Sequence, residues 1–286
     1  MIDAHHHVWD LAVRDQDWIT GPGMAAIRRS FSVDDLRPLA RAAGVTATVL
    51  VQTVTHPAET PELLAVAAAD PLVAGVVGWT DLTSAAVTDD LARLEAGPGG
   101  AHLTGIRHQV QSEPDPDWLR RPGVLRGLRA VAAAGLCYDL VVLPHQLPAA
   151  IAAADAVPGL AFVLDHAGKP GVGGDLRPWA ADIRALAARP NVTCKLSGLV
   201  TEAPPGARSG VFAPVAEVVL EAFGASRVMV GSDWPVCLLR RSYGSVLGLA
   251  RTLTAGLSAP ERAAVFGGTA ACVYGIRGSL SFMPGT

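Results

Sequence analysis

Charge and aromatic rings are both scarce in this sequence: 17% of its 286 residues are charged and 5% are aromatic, while 50% are hydrophobic. So much apolar material excludes an intrinsically disordered chain. Lysine is almost missing. Lys169 and Lys195 are the only two, every other strong base being arginine, and the net charge is −3. That balance offers no positive track for a phosphate backbone, and the basic knot Arg28-Arg29 reads as surface or substrate rim; no nucleic-acid partner is expected. The four cysteines, Cys137, Cys194, Cys237 and Cys272, form no CxxC pair, which excludes a disulfide-stapled scaffold and suits a reducing compartment. Gly, Asp, His or Arg cuts each apolar run before the ~18 residues a membrane span needs, so no membrane partner is expected. No GxGxxG and no GxxxxGK[ST] is present, leaving no phosphate-cradling loop. The sequence begins Met1-Ile2-Asp3-Ala4 and then enters a histidine cluster, without a basic and then apolar leader, and the expectation is a cytoplasmic protein.

What the sequence does hold is a series of short apolar, β-branched runs. They are Ile2 to Ala4, Val45 to Thr53, Val73 to Thr80, Leu103 to Val110, Cys137 to Leu143, Ala161 to His166, Val192 to Ser197 and Val228 to Asp233. Every interval between starts except the first is close to the ~30 residues of one βα unit. The runs are near-continuously apolar, as in strands covered on both faces. Between them lie Ala/Leu/Arg-rich stretches with helical periodicity: Glu59 to Ala69, Ala86 to Leu94, Val124 to Ala134, Asp182 to Ala188 and Phe212 to Phe223, then Tyr243 to Ala255 and Pro260 to Tyr274. Gly44, Gly135 and Gly224 mark helix stops; Asp34, Asp35, Ser84 and Ser258 suit helix N-caps. Eight strands at this spacing predict an α/β fold, a single-domain (β/α)8 barrel over residues 1–286. The long first interval, about 8–44, is expected to be a lid-like loop at the barrel mouth.

Barrel chemistry sits at the C-terminal ends of strands. The first run ends His5-His6-His7, and alternation points His5 and His7 one way and His6 the other. The sixth run ends Asp165-His166 and the eighth Gly231-Ser232-Asp233-Trp234. His5, His7, His166 and Asp233 at one face would hold a divalent ion or hydrogen-bond a polarised carbonyl. Arg107 lies within an apolar strand, where it needs a strand-end carboxylate or substrate oxygens; Lys195 falls under the same argument. His108, His56 and His145 are further candidates for substrate contact. Trp9 and Trp234, whose default role is packing, would form a platform for a sugar-like ring.

Asp3-Ala4-His5-His6-His7-Val8-Trp9-Asp10, Gly105-Ile106-Arg107-His108, Leu164 to Pro170, Lys195-Leu196-Ser197-Gly198 and Gly231 to Pro235 together resemble the amidohydrolase superfamily. They are most similar to its amidohydrolase-2 branch, which contains sugar lactonases of the fuconolactonase and rhamnonolactonase types and a pyrone-dicarboxylate lactonase. The resemblance spans essentially the whole chain. It implies that His5, His7 and His166 are metal-binding histidines and that Asp233 takes a proton from the attacking water. The fourth run has no Lys or Glu to bridge two metals, so the implied cofactor is one divalent ion, zinc or manganese, with a metal-free mechanism as the alternative. The implied activity is opening of a small lactone, a neutral sugar lactone before a pyrone dicarboxylate. The rivals are non-oxidative decarboxylation of an aromatic acid and a non-catalytic binding barrel.

Overall fold

A computed structural model describes residues 1–276. Among these, eight strands form one parallel sheet in sequential order, β1 (Ile2–His6), β2 (Ala47–Val51), β3 (Val73–Gly78), β4 (Leu103–His108), β5 (Cys137–Leu140), β6 (Phe162–Leu164), β7 (Val192–Leu196) and β8 (Val228–Val230). Just beyond the strand ends, the Asp233 amide donates to the His5 carbonyl at 2.8 Å and the His7 amide to the Trp234 carbonyl at 2.7 Å. These bonds bring the last strand back against the first, and the sheet is a barrel. Asp3 also pins this seam: its carboxylate accepts from the Ser232 amide at 2.8 Å and from the Tyr243 hydroxyl at 3.0 Å. The fold is the predicted (β/α)8 barrel.

Helices cover the strands: α1 (Val33–Ala43), α2 (Glu59–Ala69), α3 (Val87–Ala96), α4 (Pro122–Ala133), α5 (Leu147–Ala156), α6 (Arg177–Ala187), α7 (Ala213–Phe223) and α8 (Tyr243–Leu253). Two corrections concern them. The expected loop at 8–44 contains α1, whose Pro38 reads as a breaker. Ser32, not Asp34 or Asp35, is the cap; it forms a capping box with Asp35, and Val33, Leu36 and Ala40 give the helix a buried face that keeps it helical despite the proline. Helix α5, LPAAIAAADA, carries almost no amphipathic signal because it is apolar nearly all round, and it packs into the core. At the C-terminal side, Ser258 caps Ala259–Ala263 as expected.

Apolar side chains form two buried layers. The larger lies between strands and helices. The smaller fills the barrel itself with Ile2, Val49, Val51, Val77, Cys137, Val163 and Met229, and Ala270 and Tyr274 of the last helical segment close its base. Cys137, Cys194 and Cys237 are buried and unpaired, and each packs as a small hydrophobe. Among the described residues no helix is long and apolar enough to cross a membrane.

Candidate active site

At the C-terminal ends of the strands a cavity of about 710 Å³ opens over His7, Arg107, His166 and Asp233, within the size range of small-molecule sites. Strand β1 carries a register shift between Asp3 and His6, and such a bulge re-aims the side chains after it. His5 and His7 then meet with Nε2 atoms 3.2 Å apart. Asp233 Oδ1 lies 3.4 Å from His7 Nε2 and 3.8 Å from His5 Nε2. The His166 ring packs edge-on against His5 at 4.6 Å. His6 points the other way, to Thr48, as alternation predicts.

The loop after β6 is unusual. His166, Ala167, Gly168 and Lys169 all have positive φ, between 52° and 68°. A left-handed backbone costs roughly 1–2 kcal/mol per residue with a Cβ, so surrounding bonds must hold it. The Trp179 indole donates to the Ala167 carbonyl at 2.8 Å, and His166 Nδ1 meets Ser197 Oγ at 2.9 Å. Gly198, itself at φ 64°, fits closely beneath: a Cβ there would lie 2.4 Å from His166 Nδ1. Gly198→Ala is therefore expected to push His166 aside and lower kcat/KM by roughly tenfold to a hundredfold, together with a fall in Tm; steady-state kinetics and thermal denaturation check both.

Beneath the site runs a buried ionic network. Lys195 Nζ lies 2.5 Å from Asp139 and 2.9 Å from Asp165, and 3.1 Å from His5 Nδ1. Arg107 donates to Asp165 at 2.9 Å and, through Nε, to the Gln52 side chain at 3.0 Å; it also bonds the Gln52 carbonyl. The Tyr274 hydroxyl donates to Asp139 from the barrel base at 2.9 Å.

These surroundings set the charges. Burial disfavours the Asp233 carboxylate, but His166, His7 and His5 outweigh that, and its pKa is held well below the usual carboxylate range. Burial pushes His166 down to about 4 and also lowers His5. At neutral pH the site holds a carboxylate beside the uncharged imidazoles of His5 and His166. Lys195 stays protonated: burial opposes its charge, but Asp139 and Asp165 raise its pKa. Burial pushes Asp139 up to about 6, with Lys195 opposing it.

The donor set fits one divalent ion. His7 Nδ1 lies 2.7 Å from the Val51 carbonyl, an acceptor only, so that nitrogen carries the proton and Nε2 offers a lone pair. His5 has two self-consistent proton arrangements. With Nδ1–H directed at Asp165 Oδ1, 3.3 Å away, both Nε2 lone pairs face each other and call for a cation between them. Zinc takes imidazole nitrogens at about 2.0–2.1 Å, which two atoms this close can supply together with Asp233. With Nδ1 accepting from Lys195 instead, Nε2–H donates to His7 and the cluster is satisfied by protons alone. His7→Ala is expected to weaken zinc binding, measured calorimetrically, by roughly 100-fold or more, since even outer partners of a ligand are worth 10–100-fold.

The structure brings His5, His7, His166, Asp233 and Arg107 together and places the exposed His56 on the cavity wall. Five other candidates stand elsewhere. Lys195 is wholly buried and fully engaged by carboxylates, so it supports His5 and Asp165 instead of touching substrate. His108 accepts from the Trp79 indole, bonds Glu113 at 2.8 Å and stacks on Trp118, leaving neither nitrogen free. His145 is exposed in the turn Pro144–Gln146 and is not among the residues that line the cavity. Trp9 and Trp234 are both buried and pack edge-on against Phe31, so they are scaffold and not a sugar platform. The aromatic that does line the cavity is Trp18, edge-on to Trp9, with Met24 beside it. Lys169 and Glu202 also line it and were not singled out from sequence. The signal was there in Lys169: it is one of two lysines and lies three residues after His166.

Histidines and a carboxylate converging at the strand ends of a (β/α)8 barrel, over a small-molecule cavity, define a barrel hydrolase site of the water-activating kind. The model of the family described as amidohydrolase matches residues 2–276, and this chain belongs to that family. It is 41% identical over 280 residues to an L-fucono-1,5-lactonase of Burkholderia ambifaria, covering 96% of this chain and 95% of that protein. It is 39% identical over 288 residues to an L-fucono-1,5-lactonase of Burkholderia multivorans, covering 96% of each. A crystal structure of a Burkholderia multivorans amidohydrolase with bound zinc superposes with a TM-score of 0.90 at 39% identity, over 96% of this chain and 99% of that one.

Proposed function

We propose that this protein opens a neutral sugar lactone of the L-fucono-1,5-lactone type by hydrolysis, with Asp233 as general base. The observation that carries this reading is the Asp233 carboxylate, which lines the cavity 3.4 Å from His7 and 3.8 Å from His5. Asp233 takes a proton from water as the oxygen attacks the lactone carbonyl. Protonated Asp233 then delivers that proton to the ring oxygen as the acyl C–O bond breaks, leaving a hydroxy acid. The Arg107 guanidinium, whose Nη1 lies 3.4 Å from His5 Nε2, orients the carbonyl and faces the negative charge that develops on its oxygen. His5, His7 and Asp233 would hold a divalent ion, zinc or manganese, which would supply Lewis-acid charge at the same place.

The charge balance of the cavity favours a neutral substrate. Arg14 is paired with Glu62, Arg107 with Asp165 and Lys169 with Glu202, so three of its cations already face carboxylates. A dicarboxylate would need them free. The test is a pH-indicator assay on L-fucono-1,5-lactone, other aldonolactones and a pyrone dicarboxylate, with and without chelator and added metal. Turnover of aldonolactones well above that of the dicarboxylate is the expected result; the reverse order removes the neutral-sugar assignment.

A further inference from the structure

Building on the lactonase reading, we propose that Lys169 and Glu202 form a hydroxyl-reading pair that selects polyhydroxylated lactones over plain ones. Lys169 Nζ and Glu202 Oε1 are 3.2 Å apart, and their side chains are 19% and 22% exposed, both on the cavity wall. An ammonium offers only donors and a carboxylate only acceptors, whereas a sugar hydroxyl is both. Two neighbouring hydroxyls of one ring can therefore accept from Lys169 and donate to Glu202 at the same time. A bare lactone ring has nothing to offer the pair.

A purely structural role accounts poorly for this pair. The turn that carries Lys169 is already fastened by the Trp179 indole on Ala167, by Ser197 on His166 and by the Lys169 amide on the His166 carbonyl. The Glu202 amide is held separately by the Leu199 carbonyl. A partly exposed ion pair adds little stability. Lys169 also occupies φ 52°, where glycine or asparagine is the unstrained choice. Backbone strain at a mouth residue, in a chain that otherwise uses arginine almost throughout, marks a position kept for its side chain. The left-handed turn presents His166 and Lys169 to the same cavity, so the hydroxyl-reading group sits beside the reacting carbonyl's site.

The experiment compares kcat/KM for L-fucono-1,5-lactone and for unsubstituted δ-valerolactone in wild type, Lys169→Met and Glu202→Gln. Because both substrates meet the same preparation, their ratio is insensitive to any loss of folded protein. Each variant is expected to lose roughly tenfold to a hundredfold on the sugar lactone, the worth of hydrogen bonds to a charged group, and less than about threefold on δ-valerolactone, mostly through KM on the former. An unchanged ratio, whether both rates fall together or neither falls, overturns the proposal by making the pair a proton-transfer or scaffold element. A wild type that opens neither lactone instead removes the lactonase reading itself.

Discussion

Asp233→Asn is expected to lower kcat on a sugar lactone by about 10³-fold, the middle of the range for losing a general base, with KM little altered. Asparagine is the right replacement because Asp233 sits at φ 57°, and asparagine tolerates this left-handed conformation where alanine is strained. It keeps the shape and can still meet His7, yet it cannot take a proton from water. A uniform loss in kcat and kcat/KM marks an interaction made only in the transition state. The fold, checked by circular dichroism, should be retained, since the Asp233 amide still closes the barrel through the His5 carbonyl. A variant within about tenfold of wild type would place the base elsewhere.

The largest effect on stability is expected at Lys195. Its side chain is wholly buried and lies between the Asp139 and Asp165 carboxylates, both also inaccessible to water. Removing one partner of a buried ion pair leaves an uncompensated charge and costs about 3–5 kcal/mol. Lys195→Met should therefore lower Tm by roughly 6–20 °C for a chain of this size, even though methionine fills much of the same space. The exposed pair Arg184–Glu221, at a similar 3.1 Å, is the control. Arg184→Met should shift Tm by no more than about 2 °C. Equal shifts for the two variants would mean that the ionic network under the site does not hold the barrel together.

The fold was legible because parallel strands covered on both faces leave short apolar runs, spaced by their helices. Two helices were less legible. Helix α1 is interrupted in the sequence by Pro38, although its apolar and charged faces are well separated, and α5 is apolar nearly all round, with no period. The site was legible where it lies on strands or directly after them. His5 and Arg107 lie on β1 and β4, and His7, His166 and Asp233 follow within three residues of the strands before them. Residues further along the loops were not. Trp9 and Trp234 lie next to strand ends in sequence, but Phe31 folds back against both and buries them. Trp18, nine residues further along than Trp9, reaches the cavity instead. Lys195 was recognised as a strand cation that needs partners. Only the three-dimensional closure of the barrel shows that those partners are Asp139 and Asp165, from β5 and the end of β6.

The most direct measurement of the central claim follows acid release and CO₂ release together, with purified protein, on L-fucono-1,5-lactone and on a carboxylated aromatic acid. Acid release from the lactone well above its spontaneous rate, with no CO₂ from the aromatic acid, is the predicted result. Decarboxylation of the aromatic acid without any acceleration of lactone opening would contradict it.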